Sequence, residues 1–488
     1  MEIKRAAISG VKWSAVSQVG RQILQLLTMI ILARLLLPSD FGLVGMATVV
    51  TGFVMLFTDL GTAAAIIQRQ KISEDFLSGI FWMNLLFGFF AGCALYMAAP
   101  LIVMFYQEPR VLPMLRFFAI TFLISETAIV QKALLERQLA FRTLAKVEIA
   151  ASLAGAAIGI GSALGGAGAW SLVYQTLALT TVTAVLLWVF STWRPMVSFQ
   201  WSEATSALRY SLNLAGFNIL NYFSRNVDNL LVGRYLGSQP LGYYTLAYRI
   251  MLYPLQNISQ VIGRVMFPSF ALMQDDPARF RRVYLKAVGL IALITCPLMF
   301  GLMGVADSFV VFVLGDQWMP VADVLIILAP VGMIQSIITT VGTIYQSMGR
   351  TEWLFRWGVV STSLAILSIV IGLRWGIVGV ASAYAIITII LAYPNFAIPF
   401  KLIGLPISHL IPALWQPFVS GALMLIAIIG LRVTLLSHAN SLWVLLITVP
   451  TGALVYLLVN FLINREQLRN ILEITGIPLW IARHQQKY

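Results

Sequence analysis

Charged residues are scarce in this chain. Asp, Glu, Lys and Arg make up 10% of its 488 residues, against about a quarter in an ordinary soluble domain. A water-soluble fold of this length needs a polar coat, and too few polar side chains are present to make one. Cysteine and histidine are scarcer still. Cys93 and Cys296 both lie inside apolar runs, which excludes a disulfide framework and makes them small packing residues. His409, His438 and His484 are far apart and have no cysteine or carboxylate cluster near them in sequence, so no metal motif or histidine-based catalytic constellation is visible. No loop between apolar runs is long enough for a soluble domain. Two-residue alternation is missing too, which excludes strands of a membrane barrel. The stretch MEIKRAAISGVKWSAVSQVGRQ has no long apolar core followed by a small-residue cleavage site. It reads as a retained anchor rather than a cleaved signal peptide.

What the chain has in abundance is apolar sequence. Hydrophobic residues reach 59% and mean hydropathy is +0.88, the composition of an all-α integral membrane protein. Its 36 glycines suit close helix packing in lipid. A helical span needs about 20 mostly apolar residues. Breaks at proline, glycine and charge clusters predict fourteen spans, near 12–36, 41–67, 77–105, 112–135, 144–164, 168–192, 207–236, 242–268, 285–314, 321–348, 354–374, 377–400, 411–435 and 441–463. The net charge of +13 is scattered between these spans rather than clustered on one module, which argues against nucleic acid and for a topology bias. With the N-terminus cytoplasmic, 22 of the 32 Lys and Arg residues fall on the inside, six outside and four (Arg21, Arg225, Arg249, Arg264) within spans. That asymmetry predicts that both termini are cytoplasmic. The tail 464–488 mixes apolar and basic residues and is expected to lie on the inner membrane surface.

The chain also contains a repeat. ARLLLPSDFG (33–42) matches GRYLGSQPLG (233–242), pairing Arg34 with Arg234, Leu36 with Leu236 and Gly42 with Gly242 at an offset of 200. GAGAWSLVY (166–174) matches GIVGVASAY (376–384) at an offset of 210. With six spans in each unit, this predicts two pseudo-symmetric six-helix lobes, 1–200 and 201–404. Two extra helices over 405–463 and a cytoplasmic amphipathic tail over 464–488 follow. An even number of spans gives the copies the same orientation, and transporters commonly place their substrate between such lobes.

Polar residues recur inside the spans in a matched register. Asn218, Asn221, Arg225 and Asp228 share one face of the seventh span, and Gln18, Arg21, Gln25 and Thr28 share one face of the first. The eighth span adds Arg249, Gln256, Asn257, Gln260 and Arg264, and the second adds Asp59. A central charge costs about 2.5–3.5 kcal/mol on insertion scales, so these groups are expected to face the interior or a water-filled cavity. Arg225 and Asp228, three apart, either pair with each other or serve a ligand. Arg21, Arg249 and Arg264 have no acid three or four positions away. Excess positive charge implies an anion. Arginine suits phosphate through two parallel charge-assisted hydrogen bonds, and Asn and Gln suit sugar hydroxyls. The predicted substrate site is therefore Gln18, Arg21, Gln25, Asn218, Asn221, Arg225, Arg249, Gln256, Asn257 and Arg264. Asp228, Asp59 and Glu126 are the candidates for coupling to H⁺ or Na⁺, and no other cofactor is expected.

VKWSAVSQVGRQILQLLTMIILARLLLPSDFGLVGMATVV, FTDLGTAAAIIQ and DNLLVGRYLGSQPLGYY resemble the polysaccharide transporter branch of the multidrug/oligosaccharidyl-lipid/polysaccharide exporter superfamily. The nearest subgroup is the flippases of exopolysaccharide and lipopolysaccharide synthesis, including the colanic-acid type. The resemblance covers at least residues 1–400. It implies a bacterial inner-membrane protein, not an enzyme, that moves undecaprenyl-pyrophosphate-linked sugar repeat units outward by alternating access. It also implies membrane lipid, a polysaccharide polymerase and a chain-length regulator as partners. The alternative within the superfamily is a cation-coupled multidrug exporter. That transporter would favour an acid-rich cavity, and four span arginines against three acids argue the other way. A glycan polymerase or ligase would show a large external loop with catalytic charges, and this chain has none.

Overall fold

An apolar segment in lipid has no water to satisfy its amides, so it must close its hydrogen bonds internally. Every regular element among the described residues is accordingly a helix. The computed structural model describes residues 2–58, 62–69, 72–197, 222–223, 225–254, 266, 270, 273–274, 276–436 and 439–463. The chain divides into two compact units, Met1–Thr245 and Leu246–Tyr488.

The first unit contains α1 (Glu2–Leu35), α2 (Pro38–Thr58), α3 (Thr62–Gln68), α4 (Glu74–Tyr106), α5 (Val111–Glu126), α6 (Ile129–Arg137), α7 (Phe141–Leu164) and α8 (Trp170–Phe190). It also holds α9 (225–236) and the start of α10 (Ser238–Pro254). The second unit contains the end of α10, α11 (Pro277–Val313), α12 (Met319–Ile338), α13 (Val341–Ser347), α14 (Thr351–Gly372), α15 (Gly376–Ile403), α16 (Leu410–Thr434) and α17 (Ser441–Ile463). Ten helical stretches among the described residues are long and apolar enough to cross a bilayer, and one of them, Thr351–Ile403, covers two predicted spans. The seventh and eighth predicted spans fall partly outside the described residues, as does the whole tail from 464.

Two spans predicted as continuous are interrupted. The fourth breaks at Thr127–Ala128 and the tenth at Thr339–Thr340. Threonine hydroxyls that bond back to the preceding turn bend a helix. Thr127 donates to Ile124 O at 2.6 Å, Thr339 to Ser336 O at 3.0 Å and Thr340 to Ile337 O at 2.7 Å. Side chains then occupy the breaks. Trp188 Nε1 donates to Thr127 O at 3.0 Å, and Tyr284 Oη and Thr340 Oγ1 lie 3.1 Å apart.

Local backbone geometry recurs at the offset of the second sequence match. Gly166 and Gly376, 210 residues apart, both adopt a left-handed conformation, with φ of 79° and 68°. Leu139 and Gly349, also 210 apart, share it at 56° and 67°. In the second unit Phe270 stacks on Phe280 at 4.3 Å, and Tyr284 meets Phe400 edge-on at 5.5 Å. Arg432 on α16 pairs with Asp307 on α11 and donates to Gly304 O at 2.7 Å, tying two helices by a charge-assisted contact.

The closest packing in the first unit is backbone on backbone. A Cβ on Gly42 would collide with the Ser238 carbonyl oxygen, and a Cβ on Gly242 with that of Pro38. The pairs are reciprocal, each partner 200 residues from its counterpart. Gly45 and Gly52 extend the bare stripe along α2, facing Leu241 and Tyr222. Small residues allow helices to approach this closely. Gly42→Ala and Gly242→Ala should each destabilise the purified protein by about 1–3 kcal/mol through overpacking. Gly358→Ala, where a Cβ meets nothing within 4 Å, should leave thermal unfolding in detergent unchanged. Equal melting of all three would refute the contact's importance.

Candidate functional site

Gly237 creates the first part of the site. It takes φ of 91°, a conformation glycine adopts without steric cost, and so ends α9 and lets α10 turn back along it. The returning helix brings Tyr244 opposite Asp228 and Thr245 opposite Asn229. Tyr244 Oη donates to Asp228 Oδ2 at 3.1 Å, and Asn229 N donates to Asp228 Oδ1 at 2.7 Å. Thr245 Oγ1 donates to Asn229 Oδ1 at 3.3 Å. Asp228 is 4% exposed, and these donors offset part of its desolvation cost.

Arg225 therefore does not answer to Asp228. It is exposed, and no ion pair joins the two among the described residues. The backbone that carries it is nonetheless held on both sides. Tyr222 Oη donates to Val49 O of α2, and Phe223 packs against Phe53 at 5.2 Å. Three residues past Arg225, Asp228 is fixed to α10. The guanidinium is thus a cation with no partner among the described residues, on an anchored turn.

On α1, Thr28 is buried and its hydroxyl donates to Leu24 O at 2.6 Å, while Gln18 and Gln25 are exposed. Arg21 Nη2 donates to Gln18 Oε1 at 2.7 Å, and its Nε is buried with no partner. One turn below Arg21, Ser17 Oγ donates to Glu148 Oε2 on α7 at 2.5 Å. Sequence reasoning passed over Glu148 because helical spacing on one segment does not show which other helix lies beside it. Of the predicted acids, Glu126 is 3% exposed at the α4–α5 contact, where it packs against Gly88, and Asp59 lies outside the described residues. So do Asn218, Asn221, Gln256, Asn257, Gln260 and Arg264.

In the second unit Arg249 is exposed. It has no hydrogen-bond or ion-pair partner among the described residues. Its neighbour Tyr248 approaches Tyr384 at 6.3 Å between ring centres, and Gln335 Nε2 donates to Tyr384 Oη at 2.6 Å. Gln335 and Tyr384 add an amide and a phenol of the kind that binds sugar hydroxyls. Tyr384 had a sequence signal, since it closes the second repeat match as Tyr174 closes the first. Gln335 had none beyond being a polar residue in an apolar run. Among the described residues no group of three or more His, Cys, Asp or Glu side chains could hold a metal ion.

Residues 31–323 match the family described as polysaccharide biosynthesis protein. The lipopolysaccharide biosynthesis protein WzxC of Escherichia coli (strain K12) is 30% identical over 86% of this chain and 86% of that relative. The teichuronic acid biosynthesis protein TuaB of Bacillus subtilis (strain 168) is 31% identical over 93% of this chain and 95% of its own. The fold resembles the inward closed conformation of the lipid II flippase MurJ, with a TM-score of 0.75 at 17% identity, over 94% of this chain and 100% of that one.

Removing the Tyr244 hydroxyl leaves Asp228 short of a donor. Tyr244→Phe should cost about 1–3 kcal/mol, read as a lower unfolding temperature in detergent. The companion variant Tyr244→Phe/Asp228→Asn should recover part of that loss, because the charge needing the donor is gone. Additive losses in the double variant would count against the pairing.

Proposed function

The chain belongs to the polysaccharide biosynthesis protein family, and from that premise we propose that it is a transporter, not an enzyme, that flips lipid-linked oligosaccharides. Its substrate is an undecaprenyl-pyrophosphate-linked repeat unit, moved from the cytoplasmic to the periplasmic leaflet of a bacterial inner membrane for exopolysaccharide or lipopolysaccharide synthesis. The observation that carries this reading is Arg225. It is a cation within a predicted membrane span, on an anchored turn, and it leaves its nearest acid to Tyr244 and Asn229. An unpaired charge there is costly and is best accounted for by an anion that comes and goes. Arg249 supplies a second such cation. The likeness in fold to a lipid II flippase supports a lipid-linked cargo.

In this reading the arginines hold the pyrophosphate, Gln18, Gln25, Gln335 and Tyr384 meet sugar hydroxyls, and the isoprenoid tail stays in the bilayer. Two six-helix lobes alternate in access, a view supported by the recurring turns at Gly166 and Gly376 and by the reciprocal Gly42 and Gly242 contacts. Both termini are cytoplasmic. A polymerase and a chain-length regulator receive the product. An H⁺ or Na⁺ gradient supplies the drive, with Asp228 as first candidate and Asp59, Glu126 and Glu148 behind it.

Arg225→Ala and Arg249→Ala should each reduce polymer export in cells by roughly ten- to a hundredfold, the loss of one charge-assisted contact of about 1.5–3 kcal/mol, with membrane insertion unchanged. Full polymer production by both variants would remove the anion site. In proteoliposomes, flipping should require an imposed H⁺ or Na⁺ gradient and lose that requirement in Asp228→Asn. Gradient-independent flipping by the wild-type protein would end the coupling idea while leaving the substrate assignment standing.

A further inference from the structure

A groove on the first unit has no role in the transport reading. It encloses about 490 Å³ between α5 and α8, with Leu123, Ile124 and Thr127 on one wall and Val185, Trp188 and Val189 on the other. Arg194 closes one end. Leu123, Val185 and Val189 are 40%, 54% and 67% exposed. An apolar trough that opens outward from two bilayer-length helices meets acyl chains rather than water.

The charged end has the character of a membrane interface. Trp82, Trp188 and Trp193 gather there, their indole N–H groups donating to Met196 O at 2.8 Å, Thr127 O at 3.0 Å and Glu74 Oε2 at 2.7 Å. Arg137 lies at the same end and donates to Ile66 O at 2.8 Å and to Arg69 O. Tryptophan and basic residues concentrate where membrane meets cytoplasm. Arg194 is fixed in place by donating to Ser191 O at 2.7 Å, Trp193 O at 2.7 Å and Trp188 O at 3.1 Å, with its guanidinium 5.3 Å from the centre of the Trp188 ring. All these partners are neutral, so the positive charge is held rigidly but not neutralised.

We propose that this groove binds an anionic phospholipid of the cytoplasmic leaflet, with one acyl chain between α5 and α8 and the phosphate on Arg194. Charge complementarity at one end and the apolar walls along the rest select this occupant over a zwitterionic lipid. The inference depends on the membrane-spanning character of the chain and not on its cargo.

The test is native mass spectrometry of the full chain purified with mixed phosphatidylglycerol and phosphatidylcholine, with Val185→Trp, Arg194→Gln and Arg194→Lys alongside the wild type. Val185 projects outward, so tryptophan there fills the trough without entering the core. The wild type should retain phosphatidylglycerol preferentially. Val185→Trp should lose the retained lipid. Arg194→Gln should lower the preference about fivefold, the effect of one basic residue at an anionic surface, and Arg194→Lys should keep it. Equal retention of both lipids by the wild type, or undiminished retention by Val185→Trp, overturns the proposal. Displacement of phosphatidylglycerol by undecaprenyl phosphate also overturns it, by assigning the groove to an isoprenoid tail.

Discussion

The bare-backbone crossing of α2 with the α9–α10 hairpin organises the first unit. Two helices that carry side chains where they meet stay about 8–10 Å apart. Here Gly42 and Gly242 remove the side chains on both faces at once, and each glycine lies against a carbonyl of the opposite helix. A carbonyl oxygen resting on a glycine gains dispersion and weak C–H hydrogen bonding in a setting where the hydrophobic effect does nothing to join helices. The crossing holds α10 from its first turn, Tyr222 holds the start of the α9 region to α2, and the turn at Gly237 sets the register between the two helices.

That register settles the electrostatics. Within a bilayer-length segment every polar group either finds a partner or faces water. Asp228 finds partners at Tyr244 and Asn229. Arg225, one helical turn earlier, finds none among the described residues and stays accessible. On α1, Ser17 engages Glu148 of α7, and Arg21 donates to Gln18 while its buried Nε has no partner. On α9 an acid used inside the protein is thus separated from a base that has no partner among the described residues. This separation gives a chain with few charges a local excess of one sign.

Much of this was legible in the residues alone. The helical, membrane-spanning character followed from composition, because twenty apolar residues in lipid have one low-energy backbone. The repeat was read from a few matched glycines, and Gly166 and Gly376 share a left-handed backbone that penalises almost every other residue. The interruptions at Thr127 and Thr339–Thr340 were not legible. Apolar periodicity passes through them unchanged, and only the hydroxyls bonding back to the preceding turn, with Trp188 or Tyr284 arriving from elsewhere, mark the break.

By itself the sequence determined that the chain is helical and membrane-spanning, that its polar residues lie in stripes, and that arginine outnumbers acid within them. These are properties of segments, set by transfer energies and by a 3.6-residue period that needs no neighbour. Only the tertiary structure decided which stripe residues are committed. Spacing allowed Arg225 to pair with Asp228, but the turn at Gly237 brought a tyrosine to the carboxylate first. A hydrogen bond between residues 16 apart depends on the path of the chain between them, and spacing within one helix carries no information about that path.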